Sequence, residues 1–169
     1  TVLVAQDHMG RFNEFEGCLE ALKVPPGTVL IRVPSGSCAY GCNLGVENRR
    51  GAWVWFVDDD HTFEPDILLR LLAHDVPIVA PLVPMRYPPF ELVLYSTLEF
   101  YDNKRGGQGF RSEYVRMAEL DGQKGLKQFA GLPKSGMLVK DEVWCKMPAP
   151  WFKVGRIKPD EIDDDRLWM

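Results

Sequence analysis

The sequence lacks the features that mark several classes of protein. Its four cysteines form no Cys-x-x-Cys pair, which argues against a zinc site of the zinc-finger kind. No stretch approaches the roughly 18 consecutive apolar residues of a membrane span, and the first residues do not read as a signal peptide. Basic residues are not in excess, because the formal net charge is −4, so a protein that coats nucleic acid is not expected. These absences favour a cytoplasmic globular protein with reduced thiols.

The composition is that of an ordinary folded domain. Of 169 residues, 46% are hydrophobic and 26% are charged, which supplies enough apolar material for one core. The first half alternates short apolar or β-branched runs with segments of helical spacing. This alternation predicts an α/β fold with a doubly wound sheet in a single domain over residues 1–169. The predicted strands are 2–5, 28–33, 52–57 and 77–82, and the predicted helices are 14–22, 38–49 and one that begins near 64–66.

The second half of the chain has a different pattern. Residues 92–101 and 110–117 are predicted to pair as strands across the glycine-containing loop 102–109. Further predicted elements are strands at 126–130 and 136–140 and a short helix at 141–147. The final segment carries no C-terminal helix cap, so we expect the natural protein to continue beyond Met169.

The most informative stretch is an apolar run that ends in three acids. Trp53–Val57 is typical of a strand buried on both faces. Asp58, Asp59 and Asp60 follow at its carboxyl end, where open α/β sheets place their ligand crevice. In an extended chain Asp58 and Asp60 point the same way and Asp59 points opposite. Adjacent like charges repel each other, and a divalent cation with a preference for oxygen ligands removes that conflict, so the run predicts a Mg²⁺ or Mn²⁺ site.

Together with its flanking segments, this stretch resembles GT-A glycosyltransferases, and most of all glycosyltransferase family 2 and its small bacterial and phage members. The run Asn-Leu-Gly-Val at 43–46 precedes the apolar strand, and Phe-Glu-Pro-Asp at 63–66 follows the acids before an apolar helix. The resemblance implies a Rossmann-like α/β/α sandwich whose central sheet is mostly parallel. It also implies a nucleotide-sugar-binding half over residues 1–90 and an acceptor-side half over residues 91–169.

The resemblance implies roles for individual residues of the donor site. Asp58 contacts the nucleotide or sugar and shares the metal, and Asp60 coordinates Mn²⁺ or Mg²⁺ on the diphosphate. Further nucleotide contacts are expected from Asp7, His8 and Asn43. Cys42 stands where the family often has arginine, which puts one contact with nucleotide or phosphate in doubt. His61 adjoins the acids and is either an additional metal ligand or a polar loop residue.

The resemblance extends to the acceptor side. Residues 162–168 are similar to a segment that carries Glu-Asp followed by apolar residues, and an acid of that segment serves the family as catalytic base. Here Asp164 and Asp165 stand for Glu-Asp. Asp165 is the first choice of base, while Asp164 and Asp163 remain open. The structural alternative is an acidic first helical turn stabilised by the helix dipole.

The activity implied by the resemblance is a direct displacement with inversion. A carboxylate removes the proton of an acceptor hydroxyl, the oxygen attacks the anomeric carbon, and the metal-bound nucleoside diphosphate leaves. The donor is a nucleoside-diphosphate sugar, with a UDP-sugar favoured. The acceptor is open between a saccharide, a lipid-linked sugar, a protein and a modified DNA base, and so is the oligomeric state.

Two other functions compete with this one. A phosphatase of the haloacid dehalogenase type has an apolar strand followed by Asp-x-Asp-x-Thr, which Asp58, Asp60 and Thr62 fit. In that case Asp58 is the nucleophile and Asp60 the acid and base. The motif of that fold usually ends its first strand, whereas here two predicted strands and two helices precede it. The third candidate is a metal-dependent nucleotide-sugar-binding domain without catalysis.

Overall fold

The computed structural model describes residues 2–6, 12–34, 38–85, 87–102 and 108–152. The longest helices in these ranges have 10 residues, and none combines the length and apolar character needed to cross a membrane. The described strands are β1 (Val2–Gln6), β2 (Leu30–Pro34), β3 (Trp53–Asp58), β4 (Ile78–Val79), β5 (Tyr95–Asp102), β6 (Gln108–Tyr114) and β7 (Leu138–Lys140). The described helices are α1 (Phe12–Ala21), α2 (Cys38–Glu47), α3 (Ile67–Leu72), α4 (Asp141–Lys146) and the short 3-10 helix Met117–Leu120.

These elements fall into two compact units. The first contains the described residues up to Pro81 together with those from Lys134 to Phe152, and the second contains Leu82–Pro133. The chain therefore leaves the first unit after Pro81 and returns to it at Lys134. This division differs from the predicted halves at residue 90, because the returning segment packs with the amino-terminal elements.

The first unit is built on a five-stranded sheet of order β2-β1-β3-β7-β4. β1 pairs in parallel with both β2 and β3, whereas β7 runs antiparallel to both β3 and β4. The predicted α/β class is confirmed, but the prediction of a mostly parallel sheet is wrong, since only half of the strand pairs are parallel. Parallel neighbours need a crossover connection, and β7 is instead reached directly from the second unit.

The central strand β3 is buried on both faces, as its apolar run predicts. Trp55 and Val57 pack with residues of α1 and α3 in one cluster. Val54 and Phe56 pack with residues of α2 and α4 in another. All four side chains are at most 2% exposed, and alternation along a strand explains why they divide between two cores. The strand is thus fixed on both sides, which holds its carboxyl end in place.

The second unit contains an antiparallel hairpin. Strands β5 and β6 pair from Tyr95 with Tyr114 to Asp102 with Gln108, which confirms the predicted pairing across residues 102–109. The predicted strand at 126–130 is wrong, because no strand forms there. The amides of Ala130 and Gly131 donate to the carbonyl oxygen of Tyr95 at 3.0 and 3.3 Å, and the amide of Tyr95 donates to the carbonyl oxygen of Gly131 at 3.1 Å. This unit has its own small core, formed by Leu92, Leu94 and Val115 with Leu120, Phe129 and Leu132.

Candidate functional site

The candidate site begins where β3 ends. Asp58 is the last residue of the strand, and the chain then turns, with the amide of His61 donating to the carbonyl oxygen of Asp58 at 3.4 Å. The expectation that Asp58 and Asp60 share a side assumed an extended backbone through both residues. The structure brings them together for a different reason, since a turn folds Asp60 and His61 back toward the end of the strand.

Three side chains form a group with the donor atoms for a cation. One ligand atom from each of Asp58, Asp60 and His61 lies within 4.8 Å of the other two. His61 Nδ1 is 2.8 Å from Asp60 Oδ1. Two carboxylates suit Mg²⁺ and Mn²⁺, and an imidazole suits transition metals better than Mg²⁺. The donor set therefore fits Mn²⁺ and includes the two aspartates expected from the sequence. Asp59 is not a member of this group.

His61 has an environment that keeps its ring neutral. Burial is the largest influence and lowers the pKa of the imidazole, and the positive charge of Lys134 lowers it further, although the negative charges of Asp58 and Asp59 oppose both. The ring also has a polar neighbour, because Ser135 Oγ lies 3.1 Å from Nδ1. A neutral imidazole is the form that binds metals. Both interpretations left open by the sequence are compatible with this geometry, and His61 as a metal ligand stays a prediction.

Lys134 is a functional candidate that the sequence did not reveal. Its ammonium forms an ion pair with Asp58 Oδ1, and its side chain is only 11% exposed. Burial alone lowers the pKa of this ammonium, but the negative charge of Asp58, its hydrogen bond and the nearby cysteine sulfurs outweigh burial and raise the pKa above its ordinary value. Lys134 therefore carries a positive charge directly beside the acidic group.

The same lysine connects the acids to α2. Lys134 Nζ donates to Cys38 Sγ at 3.1 Å, and Cys38 Sγ lies 3.9 Å from Cys42 Sγ. A continuous set of polar contacts thus connects Asp58 at the end of β3, through Lys134, to the cysteines in the first turn of α2.

Asn43 has structural contacts that were not expected. Its Nδ2 donates to the carbonyl oxygens of Ala39 at 2.9 Å and Phe152 at 2.7 Å, and its Oδ1 accepts from the amide of Phe152 at 3.0 Å. The ring of Phe152 packs against Phe56, with centroids 5.4 Å apart. The side chain of Asn43 therefore links the backbone of Phe152 to α2. The predicted contact of Asn43 with a nucleotide stays a prediction.

The remaining predicted site residues cannot be positioned against this group. Asp7, His8, Asp163, Asp164 and Asp165 lie outside the described residues. No family model, curated protein or solved structure matches the chain. The choice between the three candidate functions therefore rests on the chemistry of Asp58, Asp60, His61 and Lys134.

The role of Asn43 is testable by stability measurements. The variant Asn43→Ala is expected to lose about 1–3 kcal/mol of unfolding free energy, because two backbone groups of Phe152 lose their partner. Urea denaturation measures this. Asn48→Ala is the matched control, since Asn48 lies just beyond α2, is exposed and bonds only the carbonyl oxygen four residues earlier, at 2.7 Å. We expect a loss below about 0.5 kcal/mol there. Equal losses of unfolding free energy in the two variants would contradict a stabilising role for the hydrogen bonds between Asn43 and Phe152.

Proposed function

We propose that this protein is a metal-dependent, inverting glycosyltransferase that transfers a sugar from a nucleoside-diphosphate sugar, with a UDP-sugar favoured, to an acceptor hydroxyl. The observation that carries the proposal is the group formed by Asp58, Asp60 and His61 at the carboxyl end of β3. Two carboxylates and an imidazole in contact suit a divalent cation, and a cation is what binds a diphosphate to an acidic site.

The sheet supports the proposal through the position of this group. β1, β2 and β3 are parallel neighbours, so their carboxyl ends lie at one edge, which is where α/β folds bind ligands. Helices contribute to the buried clusters on both sides of β3. We therefore include a GT-A-like sandwich in the proposal, with the antiparallel β7 inserted beside the central strand.

The charges of the site support a diphosphate ligand. When bound, Mn²⁺ or Mg²⁺ supplies positive charge that offsets the charge developing on the departing phosphate oxygen. Asp58, Asp60 and His61 would hold it. The ammonium of Lys134 adds a positive charge beside Asp58, which reduces the repulsion that three consecutive carboxylates exert on an anionic donor. In the proposal, Asp165 takes the proton of the acceptor hydroxyl, with Asp164 and Asp163 as the alternatives.

One observation favours the phosphatase as the second candidate. That mechanism needs a lysine beside the nucleophilic aspartate. The structure has such a contact, because Lys134 pairs with Asp58. Against it, β3 is the third strand of the chain and has β7 antiparallel beside it. Release of phosphate from simple phosphomonoesters, unchanged by added nucleotides, would favour the phosphatase.

Thermal shifts with nucleotides test the proposal most directly. UDP, GDP, TDP and CMP are each added with and without Mn²⁺. A ligand that binds only the folded state at about 100 times its Kd stabilises it by about 2.7 kcal/mol. We expect one nucleoside diphosphate to raise the melting temperature only with Mn²⁺, and its sugar conjugate to be turned over. Binding without turnover would favour the non-catalytic domain, and no shift with any nucleotide would contradict all metal-dependent nucleotide functions.

The choice of base is tested by Asp165→Asn. This variant is expected to bind the nucleotide as the parent does and to lose transfer by about 10²–10⁴-fold, which is the usual contribution of general base catalysis. Asp164→Asn is the comparison within the same run of acids. Loss of nucleotide binding in Asp165→Asn would instead indicate a structural or metal role.

Lys134 is expected to compete with the metal for Asp58. The variant Lys134→Met removes one positive charge beside the ligands, so we expect Mn²⁺ to bind about tenfold more tightly, or by about 1.4 kcal/mol. Calorimetric titration with Mn²⁺ alone measures this. Lys140→Met is the control, because Lys140 also pairs with an aspartate, Asp75 at 2.8 Å, but lies beside Trp53 at the opposite end of β3. Weaker binding in Lys134→Met would mean that the lysine positions Asp58 for the metal.

A further inference from the structure

Two cysteines of α2 lie against each other beside the candidate metal site without belonging to it. Cys38 and Cys42 are one helical turn apart, and their sulfur atoms are separated by 3.9 Å. Cys42 is 0% exposed, whereas Cys38 is half-buried. Both are free thiols. The pair thus combines a half-buried cysteine with a fully buried one.

The charges around the pair distinguish the two sulfurs. The ammonium of Lys134 donates to Cys38 Sγ at 3.1 Å, and a nearby ammonium stabilises a thiolate. The hydrogen bond with Cys42 and the charge of Lys134 lower the pKa of Cys38 to about 7, against the opposing effect of burial. The hydrogen bond with Cys38 and burial raise the pKa of Cys42 above its ordinary value. The contact with Lys134 and the lower burial both make Cys38 the better candidate for the nucleophile.

We propose that Cys38 and Cys42 are a redox-active pair that a hydroperoxide converts into a disulfide within α2. The Cys38 thiolate sulfur attacks one oxygen of the hydroperoxide, the O–O bond breaks, and the departing alkoxide or hydroxide takes a proton from water. Cys38 is then a sulfenic acid. Cys42 attacks the Cys38 sulfur, the S–O bond breaks, and the hydroxide leaves with the proton of Cys42 as water. Two thiol sulfurs have lost two electrons, which the hydroperoxide has gained.

The bond requires the first turn of α2 to distort, because Cβ atoms four residues apart in a helix are about 5–6 Å apart and those of a disulfide about 3.5–4.5 Å. Residues four apart in an α-helix have Cα atoms about 6 Å apart, within the range of about 4.4–6.8 Å found across disulfides. The sulfurs must approach from 3.9 Å to about 2.05 Å. Cys38 is the first residue of α2, and the first amides of a helix have no partner within it. The required distortion therefore falls on the first turn of α2, whose amides are the least constrained by bonds within the helix.

Mass spectrometry of the purified, metal-free protein tests the proposal. The protein is treated with hydrogen peroxide at near-equimolar amounts, alkylated with N-ethylmaleimide and digested. We expect the peptide with Cys38 and Cys42 to lose two hydrogen atoms and its alkylation at both positions, and dithiothreitol to restore that alkylation. Cys18 and the exposed Cys145 serve as internal controls that remain alkylated. No nucleotide or metal enters this experiment, so its failure is independent of the proposed function.

Two variants separate the steps. In Cys42→Ser, Cys38 is expected to stop at the sulfenic acid, which dimedone labels, and in Cys38→Ser oxidation at Cys42 is expected to be lost. Full alkylation of Cys38 and Cys42 after peroxide treatment of the parent would overturn the proposal. So would a parent in which dimedone labels Cys38 without a disulfide, or one in which Cys145 is oxidised before Cys38.

Discussion

The variant Asp60→Asn is expected to lose Mn²⁺-dependent nucleotide binding by at least about 100-fold, which corresponds to about 2.7 kcal/mol. Asparagine keeps the size of the side chain and removes its charge. It also changes the contact with His61, whose Nδ1 lies 2.8 Å from Asp60 Oδ1. The cation would keep one carboxylate, Asp58, which is shared with Lys134. Loss of one charged ligand from so small a donor set leaves little to hold a hard cation.

The effect of Asp60→Asn should be specific to the metal, because the side chain of Asp60 contributes nothing to the buried clusters. Its folding stability should stay within about 0.5 kcal/mol of the parent. Asp59→Asn is the matched control, since it makes the same change of charge at the next residue, outside the donor group. Calorimetric titration with Mn²⁺ and the favoured nucleotide compares the three proteins. If Asp60→Asn binds as well as the parent, the metal assignment is wrong.

Gly136→Ala is expected to destabilise the first unit by about 2–5 kcal/mol. Gly136 has a φ of +79°, which costs other residues about 1–2 kcal/mol. A Cβ at this position would also come within 2.7 Å of Cγ and 2.8 Å of Cδ in the ring of Pro81, and such overpacking typically costs about 1–3 kcal/mol. The backbone cannot retreat easily, because Gly136 donates to Phe56 at 2.8 Å and accepts from Trp55 Nε1 at 2.9 Å.

A second glycine separates the two contributions. Gly51 has a φ of +87°, and a Cβ there meets no atom within 4 Å. Gly51→Ala therefore carries only the conformational cost, about 1–2 kcal/mol. Urea denaturation of both variants gives the comparison, and Mn²⁺ titration shows whether displacement of Lys134 and Ser135 disturbs the donor group. Similar losses in the two variants would mean that the approach to Pro81 is not what requires glycine at position 136.

The fold was predictable where local pattern decides the structure. The apolar run of Trp53–Val57 identified the central strand and its burial on both faces, because a short run made only of aromatic and β-branched residues favours a buried strand over a helix. The hairpin of β5 and β6 followed from two runs on either side of a glycine-containing loop. The direction of β7 could not be predicted, because Leu138–Lys140 has the same composition whichever way it pairs. Residues 126–130 resembled a strand but have too few partners for one.

The site was predictable only in part. The acids at 58–60 are consecutive in the sequence and could be identified from it as site candidates. Lys134 could not, since a lysine before Ser-Gly is most often a solvated loop residue, and its partner Asp58 is 76 positions away. The available signal was that Ser135 and Gly136 lead into a strand, which would place Lys134 near the end of β3 if that strand were known to be antiparallel. Asn43 shows the reverse case, a candidate ligand whose amide holds the backbone of Phe152.

The close approach of Gly136 to Pro81 bears on which part of the chain can vary between related sequences. Pro81 is the last residue before the chain leaves the first unit, and Gly136 lies just after it returns. Because these two residues are close together, residues 82–133 begin and end at neighbouring points of the first unit. Insertions are tolerated best where their two attachment points are close together, because the rest of the domain keeps its structure. Related sequences can therefore be expected to vary in the length and content of this insert, while the re-entry segment with Lys134 and Gly136 keeps its spacing to β7.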